Sequence, residues 1–128
     1  MTLEELENFV IKTYPGYFTV SDRGESFSIT LLPNIFPSYI YRMTEDSVIQ
    51  SCYGCTYVSF NELINIEDLD SQTPYLTLYQ SRRLELSTLN EYMVGIILDF
   101  FVAKVKNLQL AVKQYEVKNK LNKIREDF

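Results

Sequence analysis

The chain is predicted to adopt an α+β fold, and three observations predict it. A helical period at the N-terminus gives way to alternating runs rich in Val, Ile, Phe and Tyr, and from residue 88 to the end the helical period returns with no proline in it. The expected architecture is an N-terminal helix, an antiparallel sheet of about four to six strands, and a long C-terminal helix. That last helix is expected to pack on the sheet and extend into an oligomer contact. The 128 residues are read as a single domain, with residues 1–87 as helix plus sheet and residues 88–128 as the long helix. A chain of this length buries roughly 65–70% of its unfolded surface and needs neither metal nor disulfide to fold.

Leu3, Leu6 and Val10 fall on one face of a short helix, with Thr2 and Glu5 spaced as a capping box and Tyr14-Pro15-Gly16 as the stop. Tyr17–Ser21 and Ser26–Leu32 alternate apolar with polar residues across Asp22-Arg23-Gly24-Glu25, a hairpin pattern. After a connection bounded by Pro33 and Pro37, Ser38–Met43 and Ser47–Gln50 are predicted strands around Thr44-Glu45-Asp46, and Thr56–Phe60 continues the strand pattern. Ser59 and Glu62 have capping-box spacing, so Phe60–Ile66 is read as a short helix rather than a strand. Glu67–Pro74 is an acidic loop without the ligand spacing of a calcium loop; Tyr75–Gln80 is a strand, and the following Arg82–Leu86 extends or pairs with it.

Thr88 and Glu91 are again spaced as a capping box, and one helix is expected from there to about residue 125, with a break allowed near Asn107. Along it Val94, Leu98, Phe101, Val105, Leu108, Val112 and Tyr115 follow at alternating spacings of four and three, a heptad seam. A second stripe, Leu110, Val117, Leu121, Ile124 and Phe128, lies on another face. From Leu89 to Val105 the helix is apolar on nearly every side, as a helix buried in its own domain would be; beyond Lys106 it is amphipathic and lysine-rich. Leaving Leu108, Val112, Tyr115, Leu121 and Ile124 in water would forgo about 10 kcal/mol, the scale of a whole domain's stability. These five residues are therefore expected to be covered, by the chain's own sheet, by a foreign partner or by a second copy, and a homodimer interface is the preferred reading.

Charge is unevenly spread. Residues 104–128 hold seven basic and three acidic residues, a balance of +4, whereas residues 1–103 hold five basic and fourteen acidic, a balance of −9. The first ten residues contain no basic charge, so no targeting leader is expected and the protein is placed in the cytoplasm. Met93–Ala103, the most apolar run, is far shorter than the roughly 20 residues of a spanning helix, and no membrane partner is expected.

Little chemistry is available. With no histidine, neither a Ser-His nor a Cys-His nucleophile can form, and no glycine-rich phosphate loop occurs, so the chain is not expected to be an enzyme or to carry a cofactor. Cys52 and Cys55, the only cysteines, flank Tyr53-Gly54 in strand-like surroundings. A hairpin tip is the preferred reading; a redox pair is the second, and a metal site shared between two chains the third, since one chain lacks the four Cys or His ligands of a structural zinc. Asp99, alone in the apolar stretch, is expected to form an ion pair with Arg82, or with Arg42 or Arg83, rather than to act catalytically.

These readings describe a non-catalytic protein-interaction module: a small acidic homodimeric adaptor or inhibitor, recognising another protein. Its composition is that of small phage or mobile-element proteins that block a nucleic-acid-handling protein, such as a host defence nuclease, by presenting negative charge. The alternative is a nucleic-acid-associated protein that binds through the basic C-terminal helix, opposed by the acidity of the body. A redox or intersubunit metal module at Cys52 and Cys55 is the further alternative.

Overall fold

The computed structural model describes residues 1–43 and 47–126; the expected Thr44–Asp46 turn and Phe128, the end of the second stripe, lie outside the described residues. Helix α1 (Leu3–Thr13) opens with the predicted capping box: the Glu5 amide donates to Thr2 Oγ1 at 3.1 Å and the Thr2 amide to Glu5 Oε1 at 3.3 Å. Leu6 and Val10, one turn apart, are its buried residues. Strands β1 (Phe18–Arg23) and β2 (Ser26–Leu31) then pair from Phe18↔Leu31 to Arg23↔Ser26. Gly24 takes φ of +75° in their turn, a conformation that costs glycine little.

Strands β3 (Ile49–Cys52), β4 (Tyr57–Glu67) and β5 (Tyr75–Glu85) complete a five-stranded antiparallel meander in the order β1-β2-β3-β4-β5. Antiparallel neighbours need no crossover, so this order holds even though the β2–β3 connection is long, running over residues 32–48. One face of the sheet carries Phe27, Ile29, Ile49, Val58, Phe60 and Ile64 into the core, where they join Leu6 and Val10 of α1 and Leu98, Phe101 and Val105 of the C-terminal helix α2 (Glu91–Glu126). The opposite face stays polar, with Ser26, Ser28, Ser59 and Asn61 at the alternate positions. The architecture is thus α+β, with α1 and α2 covering one side of the sheet.

Three expectations are corrected. Phe60–Ile66 is not a helix but the middle of β4, because Phe60, Ile64 and Ile66 alternate into the core and β4 has pairing partners on both sides in β3 and β5. Local capping-box spacing loses to the burial that a strand offers here. Ser38–Met43 is not a strand. Its Ile40 amide closes a turn on the Pro37 carbonyl, and only Tyr41 reaches the sheet, as an isolated parallel bridge to Tyr75. The Arg42 guanidinium donates to the Leu31 and Leu32 carbonyls and ties this loop to the end of β2. Finally, α2 is capped by Asn90, whose Oδ1 accepts from the Met93 amide at 2.9 Å, not by Thr88, which lies in a short 3₁₀ turn. The helix runs unbroken through Asn107.

Candidate interaction surface

Helix α2 carries two apolar lines, and the sheet occupies one of them. Val94, Leu98, Phe101, Val105, Leu108 and Val112 are all buried in the core, and Tyr115 is half-buried where the line leaves the body. The other line is displaced from the first by two residues, about 200° around a helix of 3.6 residues per turn, and so points directly away from the sheet. It consists of Ile96, Phe100, Ala103, Asn107, Leu110, Gln114, Val117, Leu121 and Ile124, again at alternating spacings of four and three, with Tyr92 one turn before it. Every one of these residues is exposed. Tyr92 is 77% and Phe100 76% accessible, and Leu110, Val117, Leu121 and Ile124 are each more than half accessible.

This geometry corrects the expected interface. Of its five residues, Leu108 and Val112 belong to the inner line and share a buried cluster with Ile35, Phe36 and Ile40 of their own chain. Tyr115 lies on the same inner line, beside Tyr39 and Leu69 in a shallow cleft of about 420 Å³. Leu121 and Ile124 belong to the outer line. The first half of α2 is likewise not enclosed on every side, since Tyr92, Ile96 and Phe100 stand in solvent. The sequence did contain a signal for them: the four-three spacing of Leu110, Val117, Leu121 and Ile124 continues backwards through Asn107 and Ala103 to Phe100 and Ile96. Polar and small residues at 103, 107 and 114 interrupt its hydrophobicity but not its period.

The flanks of the outer line are basic. In heptad terms its Phe100, Asn107, Gln114 and Leu121 are a positions and its Ile96, Ala103, Leu110, Val117 and Ile124 are d positions. Among the described residues the adjoining e and g positions then hold Lys104, Lys106, Lys113, Lys118, Lys120 and Arg125, with Ile97 and Ala111 uncharged and Asp99 acidic. The line is one residue wide, the narrow form of a coiled-coil seam rather than the broad face of a core helix. From Ile96 to Ile124 it extends about 42 Å at 1.5 Å per residue. No described residue after Val112 is buried, so the last described turns of α2 project from the body.

Two tyrosines brace the helix. The Tyr14 hydroxyl, at the end of α1, donates to Asp99 Oδ1 at 2.6 Å and lies 3.2 Å from the Gly95 carbonyl oxygen. Burial raises its pKa well above the usual tyrosine value, and the Asp99 carboxylate raises it further. The expected Asp99–Arg82 ion pair is therefore replaced by a tyrosine contact. Asp99 sits at the α1 side of α2, whereas Arg82 lies on edge strand β5, where it pairs with Glu62 at 3.2 Å, and Arg83 lies over the Tyr57 ring at 3.9 Å. Further along, the Tyr39 hydroxyl donates to Glu116 at 2.9 Å; partial burial, then Glu116, push its pKa up to about 12.

Cys52 and Cys55 form a disulfide across the β3–β4 turn, with Cα atoms 5.3 Å apart and the Cys55 amide bonded to the Cys52 carbonyl at 3.1 Å. Gly54 supplies the turn's left-handed residue at φ of +90°. This is the hairpin tip expected from Tyr53-Gly54, and it stands apart from the outer face of α2. Among the described residues no group of three or more Cys, Asp or Glu is placed to hold a metal ion, and no helix is long and apolar enough to cross a membrane. An apolar cleft of about 570 Å³ between Tyr39, Tyr41, Met43 and the start of β5 is lined by aromatic, aliphatic and threonine side chains. No family model matches the chain, and neither does any curated protein or solved structure.

Proposed function

We propose that the protein is a non-catalytic interaction module whose sheet and α1 hold α2 rigid so that the outer line of that helix can dock a helix of another polypeptide. One observation carries this reading: six large apolar residues, Ile96, Phe100, Leu110, Val117, Leu121 and Ile124, stand exposed on one four-three seam opposite the face that its own sheet already uses. Large apolar side chains scattered singly over a surface need no explanation, but a line of them at coiled-coil spacing does. Helix-in-groove and helix-on-helix recognition both use this spacing.

A homodimer is the second reading, and Asn107 favours it. A polar residue at a central a position pairs with its own equivalent across a parallel two-stranded seam and sets its register. Nucleic-acid binding by the basic helix is less well supported, because the lysines straddle an apolar line. Laying that face on a phosphate backbone would press Leu110, Val117 and Leu121 against it, while the body carries net negative charge.

The test is a photo-crosslinking amino acid placed at position 110 of the full chain, in cells of its native host, with position 28 on the polar sheet face as control. Adducts specific to position 110, to this chain or another, support docking along α2. Equal yields at the two positions remove it.

A further inference from the structure

The occupant of the outer seam is set by its borders, and we infer that it is an acidic amphipathic helix of another protein. The inference rests on the reading of α2 as a docking helix and deepens it by naming the partner's chemistry. Lys104, Lys106, Lys113, Lys118, Lys120 and Arg125 line the two sides of the seam, all exposed, with their charges where a partner helix would present its own e and g residues. A second copy of this chain fits poorly there. In a parallel pair Lys113 faces Lys118 of the other copy and Lys120 faces Arg125, leaving Asp99 with Lys104 as the attractive contact. In an antiparallel pair Lys106 meets Lys113 and Lys104 meets Lys118. Either arrangement sets like charges side by side, whereas a partner with Glu or Asp at its flanking positions makes attractive contacts with all six basic residues and a repulsive one with Asp99.

An anionic membrane surface also attracts basic helices, but two features count against it. Asn107 and Gln114 lie within the apolar line, where lipid offers their amides no partner and a facing helix can. A bilayer, being an extended anionic plane, would also repel residues 1–103, at net −9, whereas a single partner helix on the outer line meets only α2.

The experiment uses the full chain and two synthetic peptides of about four heptads, identical at Leu/Ile seam positions and differing only in Glu or Lys at every e and g position. Isothermal titration should show one Glu peptide bound per chain, with the Lys peptide about tenfold or more weaker and the difference shrinking as salt rises. The charge-reversing pair Lys113→Glu with Lys120→Glu, both exposed, should shift the preference toward the Lys peptide. The pair Leu110→Asp with Leu121→Asp should abolish binding of either peptide while circular dichroism stays that of the wild type. Equal affinity for the two peptides overturns the acidic partner but leaves helix docking standing, as does a stable dimer in sedimentation that the Glu peptide fails to dissociate. Tighter association with vesicles of equal parts phosphatidylcholine and phosphatidylserine than with the Glu peptide replaces the helix by a membrane. No binding of either peptide, or wild-type binding by the Asp pair, overturns both readings.

Discussion

The two ends of α2 have the same apolar spacing and opposite surroundings. Between Val94 and Val112 the inner line is enclosed by the sheet and by the β2–β3 connection, so each side chain there contributes both transfer from water and close packing. From Lys113 to Glu126 nothing is buried, yet the helix continues. It can do so because its nucleus is already formed on the sheet: extension adds one hydrogen bond per residue fixed, and Lys, Gln, Glu, Leu and Arg extend a helix well. A seam spacing therefore identifies a face that can be packed. It does not say what packs there.

Adjacent phenylalanines offer the largest break in this comparison. Phe101→Ala should lose about 3–5 kcal/mol of stability in urea denaturation, because its ring is fully buried against Phe18 and the core, whereas Phe100→Ala should stay within about 0.5 kcal/mol. Equal losses at the two positions would mean that the helix is rotated from the orientation described. Val112→Asp places an unpaired charge in the core and should cost about 3 kcal/mol or more, while Val117→Asp, on the outer face, should be nearly neutral. The same contrast should appear in native-state hydrogen exchange, with amides from 113 to 126 opening well before those from 94 to 112.

Smaller effects sharpen the picture at the ends of the helix. Tyr14→Phe removes the hydroxyl that joins α1 to Asp99 and should cost about 1–2 kcal/mol. Its pH signature has a definite sign. The folded pKa is raised, so the Tyr14 contribution is complete below about pH 10 and is lost as pH climbs toward the folded value; the wild type should therefore lose stability more steeply above pH 10 than the Phe variant. Asn90→Ala, which removes the cap, should cost about 1 kcal/mol by thermal or urea unfolding. Arg82→Ala should change stability by no more than about 0.5 kcal/mol, since its pairing with Glu62 is largely exposed.

Much of the architecture was legible because it depends on short-range periods. Thr2 and Glu5 lie three residues apart and cap α1 with no help from elsewhere in the chain. The β1–β2 hairpin needs only alternation on each side of Gly24. The long helix needs only the return of the 3.6 period and the absence of proline. These features determined the α+β class, the two helices and the first hairpin.

Where long-range contacts choose among local options, the chain alone was ambiguous. Phe60–Ile66 has a helix start signal and a strand alternation, and flanking strands from both directions decided for the strand. Asp99 has several arginines within the sequence to choose from, and the placement of α1 against α2 gave it Tyr14 instead. The two lines of α2 are nearly equivalent in spacing. Only the position of the sheet decided that Leu108 and Val112 face inward and that Leu121 and Ile124 join Phe100 and Leu110 outside, because a hydrophobic period defines an angle around a helix axis and only a neighbouring surface gives that angle an inside.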